Sequence, residues 1–293
     1  MLKTETPSLL HPDLDQYPSD LLVAALVDDQ FGAIAAVRAA SAEIVRAVDA
    51  AVPHIKAGGR LIYAGAGTSG RLGLLDSVEL TPTFSWPPER AIALLAGGAD
   101  AVHRAVEGAE DSRALGASNI ADLNVSSNDV VIVLAASGTT PYALGVIGEA
   151  RRRGALTIGI ANNPGAPLAH AAEISITLDT GAEIISGSTR LKAGTAQKIT
   201  LNTFSSALMV RLNKVYGNLM VDLKPTNRKL IARTIRLTMI ATDCDEGLAT
   251  ATLQACGYHV KTAIVAIKRQ IPVAEAATLL AQSDGSVRMA LLA

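Results

Sequence analysis

From residue 21 to residue 56 the apolar positions recur at helical spacing through an Ala-rich stretch that Gly58 and Gly59 bring to an end. This spacing predicts one long helix or two shorter ones. Residues 60–64 then read as a short buried strand that runs into a glycine loop, followed by a helical pattern over about 70–79. The same order repeats. Residues 91–95 are strand-like, 99–123 are helical with a break near Gly108, and 129–134 form the continuous apolar run expected of a strand buried on both faces. Residues 141–153 read as helix, 156–160 and 174–178 as strands, and about 189–216 as a long helix. Five strands separated by helical segments predict an α/β fold with a doubly wound parallel sheet, because parallel neighbours need a crossover between them. Beyond Pro225 only helical patterns remain, with starts expected at Thr226, Asp245, Tyr258 and Pro272.

Composition narrows this picture. In 293 residues, 49% hydrophobic and 18% charged, there is apolar material for one sizeable core and a smaller satellite. Aromatics are only 3%, which suits Ala-rich helices packed closely on a β-branched sheet. A net charge of −1, with no basic run longer than Arg151-Arg152-Arg153, gives no field to attract a polyanion, so nucleic acid is not an expected partner. The two cysteines, Cys244 and Cys256, lack CxxC spacing, which argues against a disulfide framework or a zinc site and for a reducing compartment. The first twenty residues carry charges and prolines rather than a signal-like apolar stretch. No apolar run is longer than that over 130–136, which is too short to span a bilayer. The expectation is a cytoplasmic protein without a membrane partner.

Two loops could carry chemistry. Gly65-Ala66-Gly67-Thr68-Ser69-Gly70 follows a strand and opens a helix, so its glycines let backbone N–H groups at a helix start face an anion. The pattern also occurs in dinucleotide folds, but the second strand here ends in Leu95-Ala96-Gly97-Gly98 without the acidic residue that would hold a ribose. The second loop, Ser137-Gly138-Thr139-Thr140, likewise follows a strand and precedes a helix. In a parallel sheet both loops lie at carboxyl ends of strands, where Gly67, Thr68, Ser69, Ser137, Gly138, Thr139 and Thr140 can converge on one phosphomonoester. Carboxylates lie between the loops at Asp76, Glu79, Glu107, Glu110 and Asp111. A helical glutamate is most often a solvated surface residue, and composition does not select among them.

Four segments, residues 58–73, 105–113, 187–198 and 216–222, closely resemble the N-acetylmuramic acid 6-phosphate etherase family, in order and over about residues 20–293. The resemblance implies a three-layer sugar-isomerase (SIS) domain over 51–214, preceded by an arm and helices over 1–50. A connecting helical segment over 215–242 and a small ubiquitin-associated-like helical domain over 243–293 would follow. It also implies a homodimer, a small-molecule sugar phosphate as substrate, and no metal or organic cofactor. The family cleaves the D-lactyl ether of its substrate during cell-wall sugar recycling. Its two catalytic glutamates fall on Glu79, as proton donor to the leaving lactate, and on Glu110, as base at carbon 2. Distinct environments would be needed for the two, and burial beside Leu80 and Phe84 is the expected cause for Glu79. Glu183 and Lys192 match positions that approach the sugar in related isomerases, their alternatives being a helix-capping Glu and a solvated Lys. The chain departs from the family in reading Leu-Thr-Pro-Thr-Phe after Glu79, and in lacking an Arg between Gly138 and the following threonines. Two other functions use the same loops. A non-catalytic sugar-phosphate sensor of the glucokinase-regulatory type would bind without reaction, and an aldose–ketose sugar-phosphate isomerase would use one carboxylate without cleaving an ether.

Overall fold

A computed structural model describes residues 2–225 and 227–293. The chain forms two compact units, one running up to Val78 and again over Pro88–Ser205, the other comprising Glu79–Pro87 and Ser206–Ala293.

The first unit opens with α1 (Ser19–Asp29), α2 (Phe31–Ala39) and α3 (Ser41–Lys56). The periodicity allowed one or two helices here; the structure has three. At the second break Ala40 leaves helical geometry (φ −84°, ψ 12°), and the Ser41 hydroxyl donates to the Arg38 carbonyl at 2.6 Å, a local bond that competes with the helical ladder. The sheet follows as β1 (Leu61–Gly65), α4 (Gly67–Phe84), β2 (Ala91–Leu95), α5 (Asp100–His103), α6 (Arg113–Asp122), β3 (Val130–Leu134), α7 (Pro141–Arg152), β4 (Leu156–Ala161), α8 (Pro167–Ala171), β5 (Ile174–Thr177) and α9 (Lys192–Arg211). The short α8 has no counterpart in the periodicity, because five residues are too few to show one.

All neighbouring strands are parallel, in the order β2-β1-β3-β4-β5. The chain builds outward from β1 to β2, then returns to the other side of β1 to lay down β3. The order therefore reverses between β1 and β3, and the crevice at their carboxyl ends is where such sheets bind ligands. Register places Gly65 opposite Leu134, so the two candidate loops leave the sheet side by side. Helices cover both faces. Ile62, Ala64, Val131 and Val133 pack with Tyr142, Val146 and Ile147 of α7, whereas Tyr63 and Leu134 lie under Gly73 of α4.

The second unit contains α10 (Arg228–Thr242), α11 (Glu246–Ala255), α12 (Val260–Arg269), α13 (Val273–Gln282) and α14 (Val287–Leu292). Asn227, Asp245 and Ser286 cap α10, α11 and α14 by accepting from the amides of Leu230, Leu248 and Met289. The start expected at Thr226 lies outside the described residues, and Tyr258, at φ +63°, precedes α12 rather than opening it. A core around Leu253, Ile264, Val265 and Ala276 holds these helices together. Beside it, the buried Asp222 carboxylate pairs with Lys214 at 2.8 Å and Lys261 at 2.9 Å. Among the described residues no helix is long and apolar enough to cross a membrane.

Candidate functional site

The first loop turns sharply because it can approach its own strand. A Cβ on Gly70 would lie 2.5 Å from the Gly65 carbonyl oxygen and 2.2 Å from Leu95, so a larger residue would push α4 off the sheet. The Gly70 amide donates to the Ala66 carbonyl at 3.2 Å, whereas the amides of Gly67, Thr68 and Ser69 precede the first helical acceptor and lie at the crevice with the positive end of the helix dipole. Across the crevice, Gly138 takes φ +71° and its hypothetical Cβ meets Ala166 at 2.4 Å. Its N–H donates to the Ala135 carbonyl and its own carbonyl accepts from Leu168, each at 2.9 Å. Gly138 therefore shapes the second loop. Pro141 then opens α7 with φ already suited to a helix and no amide to satisfy.

Between the loops lies a cavity of about 430 Å³ built from first-unit residues alone. Gly67, Thr68 and Ser69 line one side, and Ser137, Thr139 and Thr140 the other; Glu110 and Asp111 reach it from the turn after Gly108. Thr139 donates to the Ser137 hydroxyl oxygen from both its amide (3.2 Å) and its own hydroxyl (3.0 Å), which leaves the Ser137 proton free to point elsewhere. The Ser69 hydroxyl donates inward to Gln197 at 2.8 Å, leaving its oxygen lone pairs and its backbone as the groups on offer. Among the described residues no lysine or arginine lines the cavity, while Glu5, Glu110 and Asp111 are all acidic. An anion seated here would be held by amides, hydroxyls and helix dipoles. Such a lining offers donors to an anion's acceptor oxygens and supplies no side-chain countercharge.

Within the first unit, Glu183 and Lys192 do not line this cavity. Glu183 is fully buried and accepts from the amides of Lys192 (2.9 Å) and Ala193 (2.8 Å), capping α9. Burial raises its pKa and those two amides oppose the rise. Lys192 is buried too, its ammonium bound to Asp29 at 2.6 Å and to the Ala182 carbonyl at 2.8 Å, in place of the solvated lysine held as its alternative. Glu79 belongs to the second unit and its side chain is exposed. The burial expected for it from Leu80 and Phe84 is not present. Those two are buried, but successive residues on a helix point about 100° apart, so a buried neighbour in sequence does not bury Glu79.

The periodicity could not have found Glu5. It comes to the cavity because the N-terminal arm is stitched to the end of β4: the Thr4 amide donates to Asn163 at 3.2 Å, and Asn163 donates back to the Thr4 hydroxyl at 3.0 Å. Thr189, from the segment before α9, was missed for the same reason; no local pattern marks a residue that only tertiary folding delivers.

Two family models match the chain: the glucokinase regulatory protein N-terminal SIS domain over residues 43–151, and the SIS domain over 115–207. The chain is 58% identical to an N-acetylmuramic acid 6-phosphate etherase of Deinococcus radiodurans, an alignment that spans 96% of this chain and 93% of that one. This chain belongs to the N-acetylmuramic acid 6-phosphate etherase family. The etherase of Klebsiella aerogenes is 49% identical over 85% of this chain and 83% of its own length. A phosphoheptose isomerase from Francisella tularensis shares the fold, with a TM-score of 0.50 at 17% identity, covering 65% of this chain and 97% of that one. For an etherase-family chain the notable feature of the cavity is Glu110. It is exposed, and among the described residues it makes no side-chain hydrogen bond or ion pair.

Proposed function

We propose that this chain is a carbon–oxygen lyase that cleaves the D-lactyl ether of N-acetylmuramic acid 6-phosphate, releasing N-acetylglucosamine 6-phosphate and D-lactate. The near-full-length likeness to the Deinococcus radiodurans etherase carries the reading, and the hydroxyl- and amide-lined crevice is compatible with the phosphate end of such a substrate. In the open-chain sugar the aldehyde acidifies carbon 2. Glu110 removes that proton, Glu79 protonates the ether oxygen on carbon 3, and the carbon–oxygen bond breaks to leave an unsaturated aldehyde and lactate. Water then adds at carbon 3 as carbon 2 regains a proton. Thr68, Ser69, Ser137, Thr139 and Thr140 hold the phosphate, with Gly67 and Gly138 shaping their loops. Glu183 and Lys192 serve from behind by fixing the start of α9. We assign the protein to cytoplasmic amino-sugar recycling, as a homodimer that works without metal or organic cofactor, with residues 51–214 as the SIS domain and 243–293 as a small helical domain.

The test is an end-point D-lactate assay on purified protein with N-acetylmuramic acid 6-phosphate, run with and without chelator beside Glu110→Gln. Lactate from the parent despite chelation, and little from the variant, supports the etherase and its carboxylate base. Saturable binding without lactate supports a sensor instead; conversion to a ketose phosphate supports an isomerase.

A further inference from the structure

A second, smaller cavity of about 230 Å³ adjoins the first. The two share Ala66, Gly67 and Glu110, so Glu110 stands on the wall between them. Here the lining is different in kind. Ala96, Ala101, Ala105 and Val106 make a close apolar wall, and among the described residues Arg71 is the one basic residue lining either cavity.

Arg71 sits on α4 one turn beyond Gly67. Its Nε donates to the Ala101 carbonyl at 2.9 Å and its Nη2 to the Arg104 carbonyl at 3.3 Å, which orients the guanidinium fork without using its charge. Among the described residues Nη1 makes no hydrogen bond and the group forms no ion pair, although Glu107 and Glu110 line the same cavity. A positioned cation with unspent donors against an apolar wall is built for a small group that is half carboxylate and half hydrocarbon.

Resting on the etherase reading, we propose that this cavity is the lactyl subsite, in which Arg71 pairs with the lactyl carboxylate and the alanine wall receives the methyl. With the phosphate in the hydroxyl-lined cavity, the reacting carbons stand at Glu110, and the substituents beyond them enter the second cavity. Two substituents compete for it. The acetamido group on carbon 2 is neutral and has no use for a guanidinium, whereas the lactyl group on carbon 3 carries the substrate's second anion. Arg71 is thus a specificity-determining residue, separating an ether that bears a carboxylate from other carbon-3 substituents.

The experiment compares parent, Arg71→Gln, Arg71→Lys and Ala105→Leu in two assays. One measures steady-state lactate release from N-acetylmuramic acid 6-phosphate; the other measures calorimetric binding of N-acetylglucosamine 6-phosphate, which has no lactyl group. Loss of a charge-assisted pair predicts that Arg71→Gln lowers kcat/KM about 100-fold, mainly through KM, while Arg71→Lys recovers about tenfold of it. Ala105→Leu, which fills the pocket and leaves the Arg71 bonds in place, lowers kcat/KM as well. All three variants bind N-acetylglucosamine 6-phosphate within about twofold of the parent. Product binding lost in parallel with turnover, or turnover unchanged in Arg71→Gln, overturns the subsite while leaving the etherase standing. A parent chain that releases no lactate overturns both.

Discussion

Asp76 and Glu110 are both carboxylates of the first unit, and the structure treats them in opposite ways. Asp76 is 3% exposed and accepts hydrogen bonds from Asn202 at 2.7 Å, Tyr63 at 3.0 Å and Ser205 at 3.2 Å. Burial pushes its pKa up and the three donors pull against that rise; burial and the neighbouring Asp76 together hold the Tyr63 phenol protonated. Glu183 is a second case of the same kind, buried and bound to two amides. Glu110 faces a cavity and, among the described residues, makes no side-chain hydrogen bond or ion pair. A carboxylate engaged by three donors and shut away from solvent ties β1, α4 and α9 together and is out of a substrate's reach. One without such partners contributes no hydrogen bond that holds the fold together. Substitutions in the two places should therefore damage different properties.

The largest effect belongs to Glu110. Glu110→Gln keeps size and removes the base, so lactate release should fall by about 100- to 10,000-fold while the urea midpoint stays put. A residual rate within tenfold of the parent would remove Glu110 from the chemistry. Next comes Asp76→Ala, expected to cost about 3 kcal/mol in urea unfolding because Tyr63, Asn202 and Ser205 lose a shared buried acceptor. A loss below about 0.5 kcal/mol would mean that the three donors find other partners. Smaller again is Glu183→Ala, which uncaps α9 and should cost about 1–2 kcal/mol. Lactate release at saturating substrate should follow the folded fraction in both buried-site variants. A rate loss in Glu183→Ala beyond that fraction would return Glu183 to the site.

The strands were readable because buried parallel strands are unbroken apolar runs, as in Val130–Leu134, and the crevice was readable because both loops carry their glycines and hydroxyls at matching places after strands. What was not readable depends on where a side chain ends up. Asp76 and Glu79 are three residues apart on one helix and look alike in sequence, yet one is buried under three donors and the other is exposed. Arg71 comes just after the glycine loop, and nothing in its spacing foretells that the carbonyls of Ala101 and Arg104 arrive beside its guanidinium. Glu5 and Thr189 reach the cavity from segments far apart in the chain, and no spacing rule connects them.

The smallest effect is one of pH. Asp76 and Glu183 both have folded-state pKa values raised above those of an unfolded carboxyl, so the folded protein binds protons more tightly at these sites. Their contribution is fully present below about pH 4, where the unfolded chain is itself protonated, and is lost as pH rises through the raised folded values. Asp76→Asn removes one of these titrations. Relative to the parent, that variant should therefore become progressively less destabilised between pH 4.5 and pH 7, by an amount on the order of 1 kcal/mol per unit of pKa shift. Urea unfolding at the two pH values measures the difference directly. A variant whose deficit grows with pH would mean that the ionised carboxylate, held by Tyr63, Asn202 and Ser205, is the favoured form, and that the hydrogen bonds outweigh burial at the centre of the first unit.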